Sequence, residues 1–315
     1  MGVKIILYGY TMNEGNTYRY VHEGFYSASL YLGHEVYWIN DSHKLDDSFF
    51  NDSFILTEGW ANHRLPVAKN STYIIHHFGN RWDMGRYLDN RQYIANGNRV
   101  FDMRFLCPRM EDHNYEWKTD FKKIQKMTCC TFLESAQGYT IVYQPWATNL
   151  LPEEIVYKEI PKEKVIYYIG TVGAGGHEII PDWKLNTQIR IDAFKRACDE
   201  SGIQFQLLNG VPTSACRAII EKSYIAPDIR NIHKKESGYI SCRVFKNISY
   251  GQLGITDVKE AYDLFEHAVA YHDEPYDLFY EAMKHKDNIE MIKHAMDLVK
   301  NNHTYVHRLK TLLAL

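Results

Sequence analysis

At 315 residues the chain is too long for one typical domain and suits two. A formal net charge of -3 supplies no bulk basic field, so nucleic acid is not expected as a partner. The six cysteines form no C-x-x-C pair and offer no shared zinc site, which suits a reduced, cytoplasmic protein without a structural metal.

The chain opens on Val3 to Tyr8, a short apolar run of the kind a parallel sheet buries on both faces. It reads as a strand and not as a leader, and no stretch approaches the ~20 apolar residues of a membrane span. A loop over 9–16 follows. Val21, Phe25, Ala28 and Leu32 then recur at helical spacing, with Gly33 closing the helix. Glu35 to Ile39 is the next strand, so a right-handed parallel crossover is expected. Further strands are expected at Phe54–Thr57, Thr72–Ile75, Val100–Leu106 and Thr140–Tyr143.

Ligands of open α/β sheets bind beyond the carboxyl ends of the strands. Glu14, Glu58, His76, His77 and Asp102 all stand there, which makes them acceptor-site or catalytic candidates. The other reading is that such loop-end polar groups only cap the next helix. Neighbouring strand residues point to opposite faces, so His76 and His77 are a poor pair of ligands for one metal ion.

Gln144 to Glu154, with two prolines, reads as a linker. The α/β pattern restarts at Lys164–Ile169. Gly170, Thr171, Val172 and Gly173 follow directly, and glycines there let backbone N–H groups approach a phosphate. The loop is spaced G-x-x-G-x-G-G, and the next strand, Gln204–Leu208, ends at Asn209 without an acid. A segment from Gly176 to Asn186 is expected to separate the loop from its helix. All three features disfavour a dinucleotide site. Lys222–Ala226 is expected as a third strand, ending at Pro227 and Asp228, with a loop from Ile229 to Tyr239.

The most informative stretch is Ser241 to Gly251. Ser241 is a good N-cap, Val244 and Ile248 share a buried face, and Gly251 can end the helix. Arg243 therefore sits in a first turn where free N–H groups and the helix dipole favour an anion. With Lys246 one turn on it forms a candidate diphosphate clamp. The alternative is a solvated surface arginine. After this helix a strand at Ile255, a helix over 258–267, a strand at Ala268–Tyr271 and three more helices are expected.

The segment Gly238-Tyr239-Ile240-Ser241-Cys242-Arg243-Val244-Phe245-Lys246, with Gly251, Ile255-Thr256 and Leu264-Phe265, resembles the donor region of GT-B glycosyltransferases. It is most similar to the CgeB-like, spore-maturation-type family. Tyr271 to Leu278 and His303 to Leu309 share that habit. The resemblance covers the last third of the chain well, and the first half as a generic GT-B amino-terminal domain. It implies two Rossmann-like parallel-sheet domains facing each other across a cleft. It implies an acceptor domain over 1–150, a nucleotide-sugar domain over 151–300, and a last helix over 301–315 that packs back on the first domain.

By position, the resemblance implies that Arg243 holds the donor diphosphate beside the loop at Gly170, Thr171 and Gly173. It places the nucleoside near Asn209, Pro227, Asp228 and Tyr239, with Ile240, Lys246 and Asn247 completing the donor set. It likens His77, or His76, to a histidine of the amino-terminal domain. Lys246 stands where most such families carry a ribose-binding glutamate. The activity implied is transfer of a sugar from a UDP- or GDP-linked donor to a glycan, glycoprotein or other hydroxyl acceptor. The chain has no D-x-D, which suits a metal-independent reaction with no cofactor beyond the donor. The departure at Lys246 motivates the alternative, a non-catalytic carbohydrate-binding or structural protein of the same shape.

Overall fold

The computed structural model describes residues 2–9, 11, 17–58, 65–77, 96–104, 131–134, 140–170, 172, 182–236 and 238–315. The chain divides into two compact units. One holds Met1–Pro145 with Tyr305–Leu315, and the other holds Trp146–Thr304.

The first unit is built on a seven-stranded sheet. Its strands are β1 (Lys4–Tyr8), β2 (Glu35–Ile39), β3 (Phe54–Glu58), β4 (Thr72–His77), β5 (Arg99–Arg104), β6 (Thr131–Glu134) and β7 (Thr140–Tyr143), in the order 2-1-3-4-5-7-6. All pairings are parallel except β6 against β7. Ile5, Ile6 and Leu7 of β1 are fully buried, as a strand covered on both faces requires. One side of the sheet carries a core of Ile6, Ile55, Tyr73, Ile75 and Phe50.

Helix α1 (Thr17–Tyr31) buries Val21, Phe25 and Ala28. It packs on the last helix of the chain, Tyr305–Leu313. The Tyr305 ring lies 4.9 Å from that of Phe25. A Cβ on Gly24 would fall 2.1 Å from the same ring, so the two helices touch only because that position has no side chain. The buried Arg308 fastens the terminal helix further: its Nε donates to the Pro145 carbonyl at 2.9 Å, and Gln144 donates to the Arg308 carbonyl.

The second unit pairs β8 (Val165–Ile169) with β9 (Gln204–Leu208), and β10 (Ile255–Thr256) with β11 (Ala270–Tyr271), both parallel. The extended segment Tyr224–Asp228 lies between these pairs. Its Tyr224 N–H donates to Val165 on one side and its Asp228 N–H to Ile255 on the other. The expected third strand over Lys222–Ala226 is thus displaced. Lys222 ends a helix, and the segment bridges its neighbours only at its ends, partly because Pro227 has no N–H to give.

The helices of this unit, numbered on from α1, are α2 (Asp182–Glu200), α3 (Thr213–Lys222), α4 (Ile232–Glu236), α5 (Cys242–Ser249), α6 (Lys259–Leu264), α7 (Pro275–His285) and α8 (Ile289–Asn302). The terminal helix is α9 (Tyr305–Leu313). Helix α2 begins at Asp182, inside the segment expected to precede it. Helices α3 and α4 stand where no helix was expected.

Candidate anion site of the second unit

The site grows from the start of α5. Ser241 has extended backbone, and its hydroxyl accepts from the Arg243 N–H at 3.1 Å, as an N-cap should. Val244 and Ile248 are buried, which turns Arg243 toward the carboxyl end of β8. There the Arg243 Nε and Nη2 both donate to the Ile169 carbonyl, each at 3.1 Å. Its guanidinium lies 4.2 Å from the centre of the Tyr168 ring. The next residue is Gly170, where a Cβ would lie 2.2 Å from Arg243 Nη2. The glycine turn and the arginine therefore occupy one place, and a side chain at position 170 would evict the guanidinium.

Arg243 Nη1 donates to Asp228 Oδ1 at 3.0 Å. Asp228 is buried and also pairs with Arg230 Nη2, while the Ser241 hydroxyl reaches both of its oxygens at 3.1 Å. Burial alone would raise this carboxyl; the two guanidiniums outweigh it and hold Asp228 below the usual carboxylate range. Conversely, burial opposes the charge on Arg230, but the Asp228 carboxylate raises its affinity for the proton.

A second carboxylate stands behind the first. Asp257, fully buried, accepts from Arg190 Nη2 at 2.9 Å and from the Arg230 backbone N–H. Burial pushes it up to about 6 despite Arg190. Lys234 completes the group, with its ammonium 5.1 Å from the centre of the Tyr239 ring. Burial, then the charges of Arg230 and Arg243, bring it down to about 8.

Arg190, Arg230, Arg243 and Lys234 thus surround Asp228 and Asp257, so cations outnumber carboxylates. An anion entering this place is stabilised by the surplus, and more strongly than in water because the groups are largely desolvated. Among the described residues, Arg243 engages only part of its five-donor fork. The Nε–H of Arg230 is buried without an acceptor among the described residues.

Of the residues singled out from sequence, Gly170, Asp228, Tyr239 and Arg243 come together here. Ile240 is buried just before the cap, and Pro227 just before Asp228. Lys246 lines a small recess with Arg243, Tyr167, Cys216 and Tyr250. Asn247 is buried, and its amide donates to the Ala226 carbonyl at 2.9 Å. Asn209 is exposed past β9 and makes no bond to the cluster among the described residues. Thr171 and Gly173 lie outside the described residues, as does Glu14 of the first unit.

Sequence reasoning missed Arg230, Lys234, Arg190 and Asp257. The D-x-R spacing of Asp228 and Arg230 was the available signal, because it lets a buried carboxylate hold its own neighbour.

In the first unit, Glu58 and His76 are Cα partners across β3 and β4, and His77 is the last residue of β4. The side chains of Glu58, His77 and Asp102 lie outside the described residues. His76 is fully buried, and its Nε2 lies 3.0 Å from Nε2 of His22 on α1, a residue not singled out from the sequence.

Residues 178–314 match the family described as glycosyl transferase-like. No curated protein matches. Among solved structures, an alpha-glucosyltransferase in complex with UDP aligns at TM-score 0.65 and 10% identity, covering 99% of both chains. An alpha-glucosyltransferase in complex with UDP and a 13-mer DNA containing an HMU base aligns at TM-score 0.63 and 10% identity, covering 100% of this chain and 99% of that one. T4 phage BGT in complex with its UDP-glucose substrate aligns at 0.52 and 11% identity, over 99% and 98%. The fold is that of GT-B glycosyltransferases, α/β with parallel sheet.

The exclusion of nucleic acid does not survive these likenesses, because proteins of this fold are solved with DNA bound. The physical reason is that net charge averages over the chain, while phosphate contacts need only a local basic face. Among the described residues no helix is long and apolar enough to cross a membrane.

Proposed function

We propose that the chain is a glycosyltransferase that moves a hexose from a UDP-linked donor to a hydroxyl group. The second unit binds the donor and the first unit binds the acceptor. The observation that carries this reading is the Arg243 fork held against the Gly170 turn, amid more cationic than anionic groups. Departure of a nucleoside diphosphate builds negative charge on its leaving oxygen. Arg243, Arg230 and the amino end of α5 stand ready to stabilise that charge without reorganisation. The family match over 178–314 and the UDP-bound structures of the same fold support the donor class.

On this reading the countercharge is guanidinium rather than metal. Turnover is expected to be unchanged by EDTA, and loss of activity on chelation, restored by a divalent ion, would contradict it. The acceptor is a hydroxyl of a glycan or of a modified base. The DNA-bound neighbours make hydroxymethylated DNA a required member of the test panel. The direct assay is sugar transfer from UDP-hexoses to glycans and to DNA carrying hydroxymethyl bases. Transfer to one of these is expected. A chain that binds UDP yet consumes no UDP-sugar with any acceptor would instead be the non-catalytic, carbohydrate-binding protein.

A further inference from the structure

Asp257 stands behind the anion site, just after β10, and is fully buried. Its Oδ2 accepts from Arg190 Nη2 at 2.9 Å and from the Arg230 backbone N–H at 3.0 Å. Its Oδ1 accepts from the same N–H at 3.1 Å. Arg190 Nη2 also donates to the Asp273 carbonyl at 2.7 Å. Among the described residues, the guanidiniums of Arg230 and Arg243 pair with Asp228 and not with Asp257.

A purely structural role here needs an acceptor and not a charge. One oxygen already serves both donors, so an asparagine with its carbonyl in the place of Oδ2 keeps both bonds. What the carboxylate adds is a negative charge inside a cluster whose surplus is positive. Burial disfavours that charge and pushes Asp257 up to about 6, yet it stays mostly ionised near pH 7. It therefore repels the same anion that Arg243 and Arg230 attract, in proportion to the anion's charge and with little water to screen it. A sugar-linked diphosphate carries two negative charges. The free nucleoside diphosphate left after transfer carries one more, on its terminal phosphate. The repulsion falls hardest on the product.

We propose that Asp257 is a specificity-determining opposing charge, which weakens the anion site for free nucleoside diphosphate more than for the sugar-linked donor and so favours product release. This rests on the sugar-transfer reading. The charged and titratable groups around the carboxyl are Arg190 from α2, Asp228 and Arg230 from the 224–230 segment, Tyr168 from β8 and Tyr271 from β11. Asp273 and Lys235 pair with each other beyond them. Asp228 is held below the usual carboxylate range, so within this group Asp257 is the residue that titrates between pH 7 and 5.

Calorimetric titration of the full chain compares wild type with Asp257→Asn at about pH 7.5, where the terminal phosphate of UDP is ionised. The probes are inorganic pyrophosphate, UDP and UDP-glucose, with uridine as the uncharged control. D257N is expected to bind UDP about 10-fold more tightly and UDP-glucose about 5-fold, following their charges, with uridine unchanged. A merely structural residue would instead give weaker binding, or one equal change with every probe. Equal or weaker UDP binding by a folded D257N, or a gain that uridine shares, would overturn the proposal.

Wild type decides the matter even if D257N fails to fold. The phosphates of UDP-glucose do not titrate between pH 7 and 5, so its affinity is expected to rise as pH falls through about 6 and Asp257 takes up a proton. A flat profile would overturn the proposal. Wild type that binds pyrophosphate but no uridine nucleotide would strike the sugar-transfer reading instead, and tighter pyrophosphate binding by D257N would leave the opposing charge standing.

Discussion

Asp228 shows how one buried carboxylate can organise two guanidiniums. It is fully enclosed and holds Arg230 and Arg243 side by side. Removing one partner of such a group leaves uncompensated buried charge, worth about 3–5 kcal/mol. We therefore expect Asp228→Ala to lower the unfolding free energy measured in urea by that much, with a lower midpoint, and to lose donor binding as well. A midpoint equal to wild type would show the pairing to be spread over solvent instead. Arg243→Ala separates the two effects. It removes a ligand contact while Arg230 still compensates Asp228, so stability falls less than donor affinity.

Two titrations follow, one in each unit. Lys234, lowered to about 8 by burial and by its cationic neighbours, is protonated below that value and neutral above it. A charged ammonium favours a bound diphosphate, so affinity for UDP is expected to fall as pH rises through about 8. A Lys234→Met variant should lack that step. His22 runs the other way. Its folded value of about 4 lies below the ordinary 6.5, so protonation favours the unfolded chain. Stability is expected to fall between pH 6.5 and about 4, on the order of 3 kcal/mol from this group. Denaturant unfolding of wild type and H22Q across that range checks it: the difference between them should shrink as pH falls.

The turn at Gly170 and helix α5 act as one device. The helix supplies the guanidinium, and the turn supplies the carbonyl of Ile169 and the space. Gly170→Ala places a methyl 2.2 Å from Nη2, so it should weaken donor binding while the far-UV spectrum and α5 remain intact. Unchanged affinity in a folded G170A would mean that the two elements do not cooperate.

At this level much was legible. Ser241 caps α5 because a hydroxyl before an apolar i, i+4 pair has few better uses, and Gly33 and Gly251 both take the positive φ expected of helix ends. The third strand of the second unit was misplaced because Lys222–Ala226 has the composition of a strand while α3 claims its first residue. Asn247, expected in the donor set, donates its amide to the Ala226 carbonyl, a partner that only the fold brings to it. His22 was hidden in the stripe of α1, where only the fold brings His76 to it.

Across the whole chain, a cationic cluster fed by α2, α4, α5 and the 224–230 segment sits in a unit whose family match is to glycosyl transferases. The overall charge of -3 conceals it, because carboxylates elsewhere cancel it in the sum.

Calorimetric titration of UDP into the wild-type chain and into Arg243→Ala tests the central claim most directly. Wild type is expected to bind, and the variant to lose about 2–4 kcal/mol of that affinity, roughly a 30- to 1000-fold weakening, while still unfolding cooperatively. Equal binding by the two proteins, or no heat with any nucleoside diphosphate, would contradict the account.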